Sequence, residues 1–152
     1  MDGIGKRLLP ECILIDPKER EMELIIGKMV EHMAMVKTIA NPALVVHAVL
    51  KREALCSTDV GFGCAIPHAH TSLLDTTLIA AARISPPLDI SETGKTPISL
   101  IFLMVGPEDQ AGLHLKLLSK LARLLHDSEF RDKLNSARDA KEFHKLVCLK
   151  EG

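Results

Sequence analysis

Residues 98–105 read ISLIFLMV, and this run decides the fold. Ser99 alone interrupts a β-branched, aliphatic and aromatic stretch that Gly106-Pro107 stops. It is far shorter than the roughly 20 residues a membrane helix needs. Its apolarity does not alternate, so it reads as a central strand covered on both faces. Such a strand requires helices on either side of its sheet. The flanking sequence supplies them. A helix is expected from about Ala111 to His126, its apolar face carried by Leu117, Leu118, Leu121, Leu124 and Leu125. Asp127-Ser128 opens a short helix and Asp139 a last one.

Upstream, SETGKTP at 91–97 reads as a turn. TTLIAAARI, 76–84, is ambiguous: its alanines favour helix, its length and the following Ser85-Pro86-Pro87 favour strand. Cys12–Ile15 reads as an edge strand. Asp16-Pro17 then looks like a cap and first turn, with a helix running to about Met35 on the face of Met22, Ile25, Ile26, Met29 and Met33. Asn41-Pro42 repeats that signal before a second helix with Leu44, Val45, Ala48, Val49 and Leu55 as its stripe. Its basic end, Lys51-Arg52, suits the negative pole of the helix dipole. The methionines read as core filler. The expected architecture is therefore α/β, a small mixed sheet flanked by helices, in a single domain spanning 1–152.

Lys plus Arg number 19 against 20 Asp plus Glu, giving net charge −1. That balance leaves no basic face for nucleic acid. Trp and Tyr are absent, which removes base-stacking platforms. The N-terminus has no apolar signal-peptide core, so a cytoplasmic protein without membrane insertion is expected. Cys12, Cys56, Cys64 and Cys148 form no C-x-x-C pair and read as buried thiols.

Among seven histidines, His32, His126 and His144 sit between charged neighbours and read as surface residues, and His47 as partly buried. His68, His70 and His114 differ. Pro67 stiffens the backbone before His68, and Gly61 and Gly63 clear its approach. His114 has Leu118 and Leu121 on its own helix face, so it points toward the sheet. Three readings fit these residues. His68-x-His70 with His114 gives three metal ligands, though without a recognised zinc spacing. Pro67-His68 is an ordinary turn. Or neutral His68 is a nucleophile for a phosphoryl group, with His114 and Arg52 as donors to its oxygens.

The run TDVGFGCAIPH, 58–68, resembles the active-site signature of the EIIA proteins of the bacterial phosphotransferase system, in the fructose/mannitol/nitrogen-regulatory class. Lys51-Arg52-Glu53 resembles that family's Arg-Glu pair, and PEDQAGLHLKLLSKLA, 107–122, its second-histidine helix. The resemblance covers essentially the whole chain. It implies a three-layer α/β/α sandwich, resolves 76–84 as strand, and makes the chain a relay component rather than a stand-alone enzyme, with no metal or cofactor. His68 matches the phosphorylated residue, His114 and Arg52 the phosphoryl stabilisers, and Thr58 a pocket hydroxyl. An HPr-like carrier is the implied donor, and an EIIB protein or a regulated target the implied recipient. The nitrogen-regulatory branch is favoured over a sugar-specific one. Two positions depart from the pattern: Asp59 and Ala69 stand where the family commonly has Gly.

Overall fold

The computed structural model describes residues 3–55, 57–89 and 96–152. The elements are α1 (Ile4–Arg7), β1 (Leu8–Ile15), α2 (Met22–Val36), α3 (Pro42–Leu55), β2 (Asp59–Gly61), β3 (Cys64–Ala65), β4 (His68–His70), β5 (Leu78–Leu88), β6 (Ile98–Gly106), α4 (Ala111–Leu125), α5 (Ser128–Asn135) and α6 (Ala140–Glu151). A single 3₁₀ turn, Glu108–Gln110, leads into α4. Six strands form one mixed sheet in the order β1-β5-β6-β3-β2, with β4 also paired to β6. The β1, β3 and β4 pairings are parallel, while β5 runs antiparallel to β6.

Strand alternation sorts the core into two layers. Ile101, Leu103 and Val105 of β6 join Ile25, Met29, Met33, Val45 and Val49 from α2 and α3. Leu100, Phe102 and Met104 point the other way, against Ile4, Leu117, Leu121, Phe130, Phe143 and Val147. The run that decided the fold is thus buried on both faces, and the three-layer expectation is met. The stretch 76–84 contributes strand β5. Ala80, Ala81 and Ala82 are wholly buried there, so close packing on both faces overrides alanine's helical preference. Pro86 and Pro87 fall in the register shift between Arg83 and Leu88, where a missing N–H breaks no ladder bond.

Several local expectations are corrected. Asp16 does not cap α2. It sits at φ 51°, and its carboxylate accepts from Arg83 Nε at 2.9 Å. Arg83 is buried in the middle of the sheet and requires a counter-charge. The helix starts only at Met22, with Glu21 before it. In α3, Val45 and Val49 are buried and Val46, Ala48 and Leu50 are partly covered, but Leu44 and Leu55 lie beyond that face and meet solvent. Met35 is exposed rather than core, since it lies on the outer side of α2. His47 is exposed for the same reason on α3. His144 is not a free surface group: its Nε2 donates to the Gly5 carbonyl at 2.7 Å. Cys12 and Cys64 are buried, but Cys148, on α6, is exposed. Cys56 and most of the 91–97 turn lie outside the described residues. The caps at Asp127 and Asp139 are as expected, each carboxylate accepting backbone N–H groups.

Candidate functional site

β2 and β3 form a hairpin in which Gly61 faces Cys64 across a two-residue turn. Phe62 at φ 58° and Gly63 at φ 78° are the turn residues. Positive φ at both centres is the twist that a tight hairpin needs. Gly63 is also sterically required, since a Cβ there would lie 2.9 Å from the Pro97 carbonyl oxygen. Asp59, the unexpected charge, braces this turn by accepting the Gly61 N–H at 2.8 Å. Phe62 stays exposed, with the Arg131 guanidinium 4.3 Å above its ring and His126 edge-on at 5.0 Å.

Beyond the hairpin, β3 and β4 lie along the same neighbour, β6, interrupted by Ile66-Pro67. The Met104 N–H donates to the Pro67 carbonyl at 3.0 Å, and His68 pairs with Met104 in register. The His68 ring is thereby placed by the central strand. Its Nδ1 donates to the Ile66 carbonyl at 2.8 Å. That fixes the tautomer and leaves the Nε2 lone pair outward. Burial holds the His68 pKa below the ordinary imidazole value, against the pull of the Ile66 carbonyl, and the Arg52 charge lowers it further. The ring is neutral near pH 7.

His114 is delivered by α4. The Gln110 side-chain oxygen accepts from the backbone N–H and the hydroxyl of Thr77, both at 3.1 Å, anchoring the start of that helix to β5. The His114 ring is 2% exposed and lies 5.5 Å from His68 and 4.3 Å from His70, centroid to centroid. Both its nitrogens are buried with no hydrogen-bond partner among the described residues. Burial first, then His70 and His68, push its pKa down to about 4. It is a neutral imidazole with one N–H to give.

Arg52 and Thr58 reach the site from its other side. Arg52 lies in the last turn of α3, half-buried, close enough to act on His68 through its charge. Thr58 is buried, and both its N–H and its hydroxyl donate to the Glu53 carboxylate, at 3.1 and 2.6 Å. The Thr58 carbonyl accepts the Ile66 N–H at 3.0 Å. A continuous chain of hydrogen bonds therefore runs from Glu53 through Thr58 and Ile66 to the His68 ring. Glu53 appears in the sequence only as half of the Arg-Glu resemblance, with no role attached; the fold gives it one, as acceptor for Thr58. His70, set aside in that reading, is in closer ring contact with His114 than His68 is. The three rings come together, yet no group of three or more His, Cys, Asp or Glu among the described residues is arranged to hold a metal ion. No helix among them is long and apolar enough to cross a membrane.

The site thus joins a neutral imidazole, a second imidazole buried with its nitrogens unpaired, and the charge of Arg52, on a mixed sheet covered by helices on both faces. Over residues 7–149 the chain matches the family described as the phosphoenolpyruvate-dependent sugar phosphotransferase system EIIA 2, and it belongs to that family of phosphocarriers. It is 33% identical over 144 residues to the nitrogen regulatory protein of Bradyrhizobium diazoefficiens, covering 92% of this chain and 91% of that one. Its fold superimposes on nitrogen regulatory protein IIA-Ntr from Neisseria meningitidis with a TM-score of 0.84 and 29% identity, over 95% and 98% of the two chains. IIAMTL of Escherichia coli, solved in complex with phosphorylated IIBMTL, shares the fold at a TM-score of 0.75 and 20% identity, over 91% and 94%.

Proposed function

We propose that the chain is a histidine phosphocarrier of the nitrogen-regulatory type, accepting a phosphoryl group on Nε2 of His68 from an HPr-like phosphohistidine. The observation that supports this most is the pairing of two unlike imidazoles. His68 has Nδ1 committed to a carbonyl, which leaves Nε2 as the nitrogen with the lone pair. His114 has both nitrogens buried and unused. A buried polar group without a partner costs about 1–3 kcal/mol, so its retention fits a ligand that arrives with acceptor oxygens. The nitrogen-regulatory branch is supported by a relative of that name that spans nearly the whole of both chains.

The chemistry follows from the geometry. The Nε2 lone pair of His68 attacks phosphorus, and the donor's P–N bond breaks with its electron pair returning to the donor imidazole. Transfer of this kind depends on positioning and on fixed positive charge more than on covalent help. His114 gives its N–H to a phosphoryl oxygen, and Arg52 supplies the guanidinium charge. The Thr58 hydroxyl already donates its hydrogen bond to Glu53, so its part is to hold Ile66 and through it His68. No step needs a cofactor or a metal. The group then passes to an EIIB protein, or its presence alters binding to a regulated target, with residues 1–152 acting as one domain.

The test is phosphorylation with phosphoenolpyruvate, enzyme I, and either HPr or its nitrogen-branch counterpart. An acid-labile, base-stable label is expected on wild type and none on His68→Ala. Faster labelling by the nitrogen-branch carrier is the expected preference. Label persisting in His68→Ala sinks the site assignment. Preference for HPr, with onward transfer to a sugar EIIB, moves the protein to the sugar-specific branch.

A further inference from the structure

His70 stands two residues from His68 on β4, so both rings leave the same face of the strand. It packs on His114 at 4.3 Å with the planes inclined by 44°. We propose that His70 couples phosphorylation to pH, as the exposed imidazole of a three-ring cluster that takes up a proton when His68 is phosphorylated. The inference rests on His68 being the phosphoryl acceptor.

In the unphosphorylated protein the rings oppose one another's protonation. A positive charge on His70 disfavours one on either neighbour. A phosphoryl group adds about 1.5–2 negative charges to this cluster. The sign of the local field then reverses, and an added proton becomes favourable. Burial decides which ring receives it. His114 is almost wholly enclosed, and charging it carries the full loss of hydration. His70 is exposed and keeps its water. Imidazole is also the side chain whose charge changes between about pH 5 and 8.

The remaining charges around β4 are fixed or balanced. Strand β6, its register partner, has no ionisable residue between Ile98 and Gly106. Helix α3 brings Arg52 and Glu53, which act on His68 with opposite signs. Helix α4 brings His114. Glu108 and Asp109, which follow Gly106, the residue paired with His70, are exposed. Arg52 gives the phosphoryl group a constant positive neighbour, and His70 gives it a variable one.

The transfer balances without any redox partner. One P–N bond forms at His68 Nε2, one breaks on the donor, and the proton that His70 gains comes from water. Proton uptake on phosphorylation means that transfer onto this chain is favoured at low pH and weakens as pH rises. The limit is about tenfold in the transfer equilibrium per pH unit for one proton.

The experiment measures the ratio of phosphorylated chain to phosphorylated HPr-type carrier at equilibrium, from about pH 6 to pH 8.5, for wild type, His70→Gln and His70→Lys. Using one carrier throughout cancels the carrier's own titration. Relative to His70→Gln, the wild-type ratio is expected to fall by roughly tenfold across that range. His70→Lys, a permanent cation, is expected to track the His70→Gln profile at a uniformly higher level. In proton spectra, the His70 ring midpoint is expected to rise when His68 is phosphorylated. Parallel wild-type and His70→Gln profiles, or His70→Lys no higher than His70→Gln, overturn the inference. A wild type that takes no label at any pH overturns instead the reading of His68 on which it rests.

Discussion

Two histidines lie in the same helical layer and are treated in opposite ways. On α6, His144 gives its Nε2 proton to the Gly5 carbonyl. On α4, His114 is more deeply buried and gives its proton to nothing among the described residues. The first ring ties the chain's two ends together: Glu151, about two turns further on, also accepts the backbone N–H groups of Ile4 and Gly5. The second ring ties nothing. A histidine kept for structure has its hydrogen bonds satisfied in the resting protein. On the function proposed above, His114 holds a donor in reserve and lowers stability while it waits.

The sharpest way to break this contrast is His114→Leu, which keeps apolar volume and removes both unused nitrogens. Phosphoryl transfer is expected to slow by about 10²–10³-fold, the usual loss for one donor to developing charge. Stability at neutral pH is expected to hold or to rise by about 1 kcal/mol, because an unsatisfied buried group is gone. Single-turnover labelling and urea unfolding read the two effects separately. The same variant has an acid signature. The wild-type ring titrates at about 4 in the fold, below its ordinary value. Between those values the unfolded chain binds the extra proton, so wild-type stability falls as pH drops from about 6.5 to 4. That part of the acid loss, up to about 3 kcal/mol, should be missing from His114→Leu.

A smaller effect is expected at Glu53→Gln. The amide turns a donor toward Thr58, which already offers two, and this should cost about 2 kcal/mol in unfolding free energy. Transfer should slow as well, since the bonds that orient His68 begin there. Unchanged kinetics in a destabilised variant would reduce the Glu53–Thr58–Ile66 chain to scaffolding. The smallest effect belongs to His144→Ala, about 1 kcal/mol of stability with transfer unaltered. A comparable loss of transfer there would erase the distinction between the two histidines.

The central strand and the inward placement of His114 could be read from sequence because each rests on a local pattern, an unbroken apolar run and a helical period; the short strands β2, β3 and β4 could not, because two or three residues carry no period of their own. The run at 98–105 has no polar face to show, and His114 has leucines one and two turns on. What could not be read depends on partners far along the chain. Asp16-Pro17 and Asn41-Pro42 look alike, but only the first has a buried arginine 67 residues away to claim its carboxylate. Leucine at 44 and 55 looks like core until the width of the covered stripe is known. Glu53 and Thr58 belong to different elements, and no single-element pattern joins them. The spacing of His70 put it on the His68 face of the strand, but only the docking of α4 shows what covers that face.

The pairing of β4 with β6 has a consequence in time as well as space. His68 takes its place from Met104, in the strand most fully enclosed by both layers. Such strands open only when the whole domain opens. With His68 as the proposed acceptor, the phosphoryl group is therefore positioned against the part of the fold that opens last, and the capacity to carry it is lost no later than the fold itself.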